Sequence, residues 1–339
     1  MGYRLKPKYF DDVLSALSKH YDIMAPALMP FETRHSAQEV VGYRKIESLK
    51  EIVVDKKTFF SPKEILFPPR ETMFYFTDSK IRESEYEEKN KIILLRTCDL
   101  NGIERLKNMF LNNGDVKDNY FKRRFESTKF WLIECDDGFD SCFCASMNSN
   151  KADSYSTAIK FTEEDILVDS NDNMFSELFK SYGVEEDYKV SFIEKNKLEV
   201  KVPLSENINP AVFEHDIWQE YIKRCIACGR CNTSCISCSC FTTHDIIYDD
   251  NKRRGERRRV WAGCHLDNFS IMAGGHDYRT KNGERMRFKT MHKIYDYHKR
   301  FGKHMCVGCG RCDDVCPEYI SFSKCINKLY DIIEKENDK

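Results

Sequence analysis

Apolar residues at the start of the chain recur at spacings of three and four, which predicts an amphipathic helix. They are Phe10, Val13, Leu14, Leu17, Tyr21 and Met24. Short runs rich in Val, Ile, Phe and Tyr follow and predict β-strands. These runs cover residues 51–54, 72–77, 91–96, 130–134, 157–161, 165–168, 190–193 and 198–202. Helical patterns at 102–111 and 174–182 lie between the strands, so residues 1–210 are predicted to form a mixed α+β domain.

The pattern changes after Pro203 and Pro210, where strand-like runs disappear. Amphipathic segments at 212–223, 289–300 and 323–335 take over, in a region that also holds most of the cysteines. The sequence therefore predicts a mainly helical, ferredoxin-like domain in residues 211–339. The overall fold class is α+β with two domains.

Composition limits the classes of function. The 54 basic and 55 acidic residues nearly cancel, so no nucleic-acid partner or anionic membrane surface is expected. No signal peptide is visible, and no apolar stretch approaches the about 18 residues of a membrane span, so no membrane insertion is expected. The sixteen cysteines bunch at gaps typical of metal ligands rather than disulfides, which favours a reducing cytoplasm.

Two runs of cysteines have the spacing of iron–sulfur ligands. They are Cys225-x2-Cys228-x2-Cys231-x3-Cys235 and Cys306-x2-Cys309-x2-Cys312-x3-Cys316-Pro317. In two-cluster ferredoxins the last cysteine of each run binds the other cluster. We therefore predict two [4Fe-4S] clusters. Cluster 1 has the ligands Cys225, Cys228, Cys231 and Cys316, and cluster 2 has the ligands Cys306, Cys309, Cys312 and Cys235.

The first run departs from the ferredoxin signature at one position, because Ile236 rather than proline follows its last cysteine. Zinc sites are the alternative, since Cys-x2-Cys pairs are common among them. Zinc does not require a third cysteine and a fourth three residues further on in both runs, so the spacing favours iron–sulfur clusters.

Four further cysteines, Cys98, Cys135, Cys142 and Cys144, belong to the N-terminal domain, and two of them closely follow predicted strands. Three interpretations of this group are possible: it holds a third cluster, it holds a zinc ion, or its thiols are buried and inert. The last group is Cys238, Cys240 and Cys264. We expect these three to pack beside the clusters, although Cys238 could replace Cys235 as a ligand.

Residues 252–259 carry six Lys and Arg side chains. Two interpretations of this stretch are possible. It is either a solvated loop, or a basic patch that neutralises the clusters or docks an acidic partner. Dinucleotide and nucleotide-hydrolysis motifs are missing from the sequence. No catalytic residue is predicted on this chain, and its electrons should come from a partner.

These motifs together resemble the iron–sulfur subunits of anaerobic sulfite reductases and, more broadly, the β subunits of cytoplasmic hydrogenase/sulfur reductase complexes. The resemblance covers most of the chain. Besides the two runs, it rests on Arg96-Thr97-Cys98-Asp99, residues 120–124, Cys142-Phe143-Cys144, residues 261–264 and Ala273-Gly274-Gly275-His276.

The resemblance implies an electron-transfer subunit of an NADH-dependent sulfite reductase complex. A flavoprotein subunit with FAD would oxidise NADH, this chain would relay the electrons, and a sirohaem subunit would reduce sulfite to sulfide. No substrate site is expected on this chain by itself. The alternative is the same role, as the β subunit, in a hydrogenase/sulfur reductase complex.

Overall fold

The computed structural model describes residues 1–30, 39–85, 89–251 and 253–337. Its larger sheet has eight strands in the order β10-β1-β9-β8-β7-β6-β2-β3. In chain order these strands are β1 (Gly2–Leu5), β2 (Tyr21–Leu28), β3 (Val41–Lys45), β6 (Asn90–Arg96), β7 (Thr128–Ile133), β8 (Thr157–Phe161), β9 (Ile166–Ser170) and β10 (Val184–Glu185). The neighbouring pairs β2/β6, β6/β7 and β7/β8 are parallel, and the remaining pairs are antiparallel.

Helices cover both faces of this sheet, because its central strands are apolar on both sides. Ile92 and Leu94 of β6 pack on one face with α1 (Pro7–Ser18) and α5 (Asn173–Tyr182). Ile93 and Leu95 point to the other face, where α3 (Thr97–Leu111) lies. This alternation follows from the two-residue repeat of a β-strand.

The smaller sheet has four strands in the order β11-β12-β4-β5, and all its pairs are antiparallel. Its strands are β4 (Arg70–Phe76), β5 (Ile81–Glu83), β11 (Phe241–Ile247) and β12 (Gly255–Trp261). Strand β12 therefore joins the cysteine-rich C-terminal part to a strand from the first hundred residues. The expectation that no strand follows residue 210 is wrong.

The second half of the basic stretch, residues 255–259, belongs to strand β12, whereas Arg253 and Arg254 precede the strand. Arg259 is fully buried, and its guanidinium lies against Phe67 and Phe110 while it pairs with Glu71 and Asp118. Charge compensation at this site is local, so Arg259 does not neutralise a cluster. Lys252 lies outside the described residues.

Other predicted elements shift or disappear. Tyr21 and Met24 belong to β2 because the first helix ends at Ser18. The predicted strands at 51–54, 190–193 and 198–202 are irregular or 3-10 backbone. Some of their apolar side chains are buried without strand pairing: Val200, for example, packs in the C-terminal core.

The predicted segments 289–300 and 323–335 are helical throughout, whereas residues 212–223 hold 3-10 turns followed by a short helix. The helices of the C-terminal part are α6 (Gln219–Arg224), α7 (Arg230–Thr233), α8 (Asn282–Met291), α9 (Tyr297–Phe301), α10 (Arg311–Asp314) and α11 (Phe322–Asn337). A π-helical segment, His292–Asp296, joins α8 to α9. Two short helices, α2 (Lys63–Leu66) and α4 (Asn119–Glu126), complete the fold.

The described residues thus form an α+β fold with a cysteine-rich C-terminal part. The boundary near residue 210 stays a prediction, and so does the mainly helical character of residues 211–339. None of the described helices combines the length and apolar character that a membrane crossing requires.

Candidate metal centre

The first three cysteines of each run lie on loops of the same local shape. Ala227 and Gly308 occupy equivalent positions and have φ values of 54° and 63°, and Gly229 and Gly310 have φ values of 71° and 72°. Each loop then enters a one-turn helix, α7 or α10, that carries the third cysteine. Repeated left-handed turns make a loop curl around a point, so that its backbone N–H groups face inward. In the second loop the N–H of Gly308 donates to Cys306 Sγ at 3.4 Å.

The sulfur-bearing residues of the two runs surround two neighbouring cavities. One cavity is lined by Cys225, Cys228, Cys231 and Cys316, the predicted ligands of cluster 1. The second is lined by Cys235, Cys306, Cys309 and Cys312, the predicted ligands of cluster 2. The fold therefore brings the last cysteine of each run to the cavity of the other run, and the two ligand sets themselves stay a prediction. Both cavities also share Cys231 and Cys312 in their walls.

A third cavity gathers all four N-terminal cysteines, Cys98, Cys135, Cys142 and Cys144. Cys98 lies in the first turn of α3, directly after β6, and Cys135 comes two residues after β7. Since β6 and β7 are parallel, their carboxyl ends meet at one edge of the sheet. Cys142 and Cys144 reach the same place from the loop that follows. Cys309 of the second run also lines this cavity.

The loop with Cys142 and Cys144 packs tightly on the second run. Phe143 N donates to Gly308 O at 2.7 Å, and Ser149 Oγ donates to Val307 O at 2.7 Å. A Cβ at Gly308 would lie 2.4 Å from Phe143 O, and a Cβ at Gly310 would lie 2.1 Å from Ser141 O. Two glycines are therefore required by close backbone approach as well as by their φ values.

A buried ion pair connects the same two regions. Arg311, inside the second run, donates to Asp99 through two nitrogens at 2.5 and 2.8 Å. Both side chains are at most 3% exposed, and Thr58 and Tyr43 complete the hydrogen bonds around them. A bidentate pair with its remaining groups satisfied fixes geometry. It holds Cys98, the neighbour of Asp99, beside Cys309.

The thiols suit ligation by a cationic centre. Burial raises the pKa of the Cys306 thiol to about 12, and burial likewise raises the pKa of the Cys144 thiol to about 12. Such thiols ionise only when iron or another cation stabilises the thiolate. The fit to [4Fe-4S] clusters, in which thiolates hold the iron atoms, rests on the four predicted cysteine ligands that line each of the two cavities.

Cys235 differs from these thiols. A hydrogen bond from the Cys238 thiol and the charge of Lys293 lower the pKa of Cys235, despite its burial. Cys238 in turn shares a partner with Cys264, because Asn232 Nδ2 lies 3.6 and 3.4 Å from their sulfurs. Of the described residues that line the three cavities, none is Cys238, Cys240 or Cys264. Their packing role stays a prediction.

Among described residues, no three Cys, His, Asp or Glu side chains converge as ligands of a single metal ion.

Sequence reasoning missed several residues of this site. Asp99 and Arg311 lie within or beside recognised motifs, but nothing in the sequence signalled their pairing. Lys63, Lys289 and Lys293 are also buried, and the last two line the cluster 2 cavity. The four-residue spacing of Lys289 and Lys293 places them on one helix face, but nothing in the sequence indicated that this face is buried.

Comparison with known proteins bears on the two runs directly. Residues 224–320 match the family model described as a 4Fe-4S dicluster domain. This part of the chain is a two-cluster iron–sulfur domain. The predicted pair of [4Fe-4S] clusters is thereby confirmed, and the chain is an iron–sulfur protein of the electron-transfer class.

The chain is also similar over nearly its full length to a curated protein, sulfhydrogenase 2 subunit beta of Pyrococcus furiosus. The two are 25% identical over 346 residues, which cover 96% of this chain and 97% of the relative. No solved structure matches the chain. The name of this relative agrees better with the hydrogenase/sulfur reductase alternative than with the sulfite reductase prediction.

Proposed function

We propose that this chain is the iron–sulfur β subunit of a hydrogenase/sulfur reductase complex and relays electrons between its partner subunits. One observation carries the proposal. The three cysteine-lined cavities are adjacent and share walls, with Cys309 between the N-terminal cavity and the cluster 2 cavity, and Cys231 and Cys312 between the cluster 2 and cluster 1 cavities. A row of adjacent redox sites is what electron relay requires, whereas a scaffold needs no such row.

The proposed ligands are the two predicted sets of four cysteines and, for a third [4Fe-4S] cluster, Cys98, Cys135, Cys142 and Cys144. When bound, each cluster supplies a one-electron carrier. The chain's own residues hold the sites and limit their contact with water. Phe143, which is fully buried, lines the cluster 2 cavity but not the cluster 1 cavity, and Phe322, which is 2% exposed, lines both, so apolar side chains limit the contact of the middle position with water.

The row reaches the surface at the cluster 1 end. Cys228 is exposed, and its neighbour Ile226 is 57% exposed. Tyr319, two residues after Pro317 of the second run, is 87% exposed. Exposed apolar side chains around a redox site suit contact with a partner protein. We place one of the partner subunits here.

The partner chemistry separates the two candidate complexes. The full-length similarity to a sulfhydrogenase β subunit favours hydrogenase and sulfur chemistry in the partner. The motif resemblance to the iron–sulfur subunits of sulfite reductases supports the second candidate, in which the partners are an NADH-oxidising flavoprotein and a sirohaem protein. The complex should be purified anaerobically through a tag on this chain.

Two readouts on that complex decide between them. Reduction of the clusters by hydrogen gas, with no sirohaem absorption, is the expected result. Sirohaem in the complex, with sulfite-dependent reoxidation of the clusters, would transfer the assignment to sulfite reductase. Purification of the chain without any redox partner, and with zinc in place of iron and sulfide, would contradict both.

The third cluster has its own test. Two [4Fe-4S] clusters contribute eight irons and three contribute twelve, so a count of about twelve irons per chain is expected. The Cys98→Ala, Cys142→Ala, Cys144→Ala triple variant should fall to about eight. Cys325→Ala is the matched control, because Cys325 is fully buried in the C-terminal core but lines none of the three cavities. Twelve irons in the triple variant would rule out the third cluster.

A further inference from the structure

Three lysines are buried beside the proposed clusters. Lys63, Lys289 and Lys293 are 2%, 3% and 3% exposed. Taking an ammonium group out of water costs several kcal/mol unless a negative charge lies nearby. Within the described part of the chain, none of the three forms a salt bridge with a carboxylate. Their surroundings contain cysteine sulfurs instead.

Lys293 makes the most direct contact. Its ammonium donates to Cys235 Sγ at 3.3 Å and to Ser237 Oγ at 3.0 Å. Cys235 is a proposed ligand of cluster 2, and Lys293 lines the cluster 2 cavity but not the cluster 1 cavity. Its charge therefore acts mainly on one of the two sites.

Lys63 approaches the same region from the N-terminal part. It donates to the backbone carbonyls of Asn232 and Cys238 at 3.0 and 3.2 Å. Its ammonium also lies 4.1 Å from the centre of the Trp261 ring. These bonds fix the charge close to Cys235 without a direct bond to a proposed ligand sulfur.

Lys289 lies between the two sites. It lines both the cluster 1 and the cluster 2 cavities, one helical turn before Lys293. Residues four apart share a helix face, and the π-helical segment begins at His292, between the two lysines. Single π-turns are frequent at functional sites because they change the direction of side chains along a helix.

We propose that Lys63, Lys289 and Lys293 are positioning residues that raise the reduction potentials of the clusters by fixing positive charge beside their ligand sulfurs. The inference rests on the proposed ligand sets. Reduction adds one negative charge to a cluster, so a fixed cation stabilises the reduced form more than the oxidised form. Hydrogen bonds to the sulfurs act in the same direction. Lys293 acts on cluster 2, whereas Lys289 acts on both.

The unequal distribution has a consequence for electron flow. Lys289 and Lys293 line the cluster 2 cavity, Lys63 bonds the backbone of Cys238 three residues after Cys235, and only Lys289 also lines the cluster 1 cavity. Between these two clusters, the lysines therefore favour reduction of cluster 2 over cluster 1. Electrons that enter at cluster 1, the exposed end, would then pass to cluster 2 with a favourable change in free energy.

The test is an anaerobic redox titration of the full chain followed by electron paramagnetic resonance, with iron counted in every sample. Lys293→Met should lower the reduction equilibrium constant of one cluster at least tenfold, which is a shift of about 59 mV for a one-electron couple. Lys293→Arg keeps the charge and should restore most of the potential. Lys299→Met is the matched control, because Lys299 is exposed on the next helix and its loss should leave both potentials unchanged.

The outcomes separate cleanly. Full iron with unchanged potentials in Lys293→Met overturns the inference, and so does an equal shift in Lys299→Met. If Lys293→Met loses iron, the variant Lys63→Met provides the test instead, because the Lys63 ammonium donates hydrogen bonds to backbone carbonyls and to no proposed ligand sulfur. A lower cluster potential in Lys63→Met supports the inference, and an unchanged potential overturns it. The titration needs no partner protein. Its failure therefore leaves the relay function standing, while failure of the partner experiments leaves this result intact.

Discussion

The two ferredoxin loops have the same backbone turns and opposite surroundings. In the first loop Cys228 is exposed, and a Cβ added to Gly229 would meet only the flexible side chain of Leu266. In the second loop Cys306 and Cys309 are buried beneath the loop that carries Phe143. Spacing thus sets the local shape of a cluster loop, while distant segments decide whether the loop is exposed or buried.

The largest loss of stability should come from breaking the Asp99–Arg311 ion pair that fixes the second loop. Asp99→Ala leaves Arg311 buried and unpaired, which should lower the free energy of unfolding by about 3 to 5 kcal/mol. Asp245→Ala is the matched control, because the Asp245–Arg257 pair is exposed on both sides and should contribute at most about 1 kcal/mol. Anaerobic denaturant unfolding measures both. Equal losses would show that the Asp99–Arg311 pair does not anchor the loop.

The loop glycine comes next. Gly308→Ala gives the second loop the residue that the first loop carries as Ala227 at a similar φ, so backbone conformation by itself does not forbid it. The new Cβ would nevertheless meet Phe143 O at 2.4 Å, and the resulting overpacking should lower the free energy of unfolding by about 2 to 3 kcal/mol.

Ala227→Gly is the reciprocal control for this substitution. It changes the same position of the exposed loop and should alter stability by less than about 1 kcal/mol. If Gly308→Ala were equally mild in the same unfolding assay, the tight packing of the two loops would not contribute to stability.

The smallest effect concerns the helix segment that covers both sites. Burial, and then the charge of Lys293, lower the pKa of His292 to about 4, whereas an unfolded histidine titrates near 6.5. The unfolded chain therefore binds more protons between these values, so stability falls as the pH drops from about 6.5 towards 4. At pH 5 the loss should be about 2 kcal/mol relative to pH 7.

The variant His292→Gln removes this titration. Thermal unfolding across pH 5 to 7.5 should then show a shallower slope in the variant than in the wild type. Identical slopes would mean that His292 is protonated equally in both states.

The local features of this molecule could be predicted, and the non-local ones could not. The cysteine spacings indicated two cluster loops, and the runs at 91–96, 130–134 and 157–161 indicated strands that the structure contains. In each case the signal lies within a few residues. Strand β9 and the helices α1, α3 and α5 also followed from hydrophobic periodicity, but strands β1, β2, β3 and β10 of the larger sheet were not predicted.

Strands β11 and β12 escaped prediction because many of their residues are polar and their partner, β4, is far away in sequence. Arg259 in β12 is stabilised by Glu71 and Asp118, which lie more than a hundred residues earlier, so its charge indicated solvent rather than a buried strand. Lys63 is a similar case: its ammonium bonds carbonyls at Asn232 and Cys238. Pairings of this kind are fixed by tertiary packing and leave no periodic trace.

The clamped second loop also bears on how the protein is matured. Phe143 N bonds Gly308 O, and Arg311 reaches Asp99, so once the chain is closed a cluster held there has no direct path for exchange. We expect iron and sulfide to enter this middle site before the N-terminal part docks. By contrast, Cys228 is exposed in the folded chain, so we expect iron and sulfide to reach that site after folding is complete.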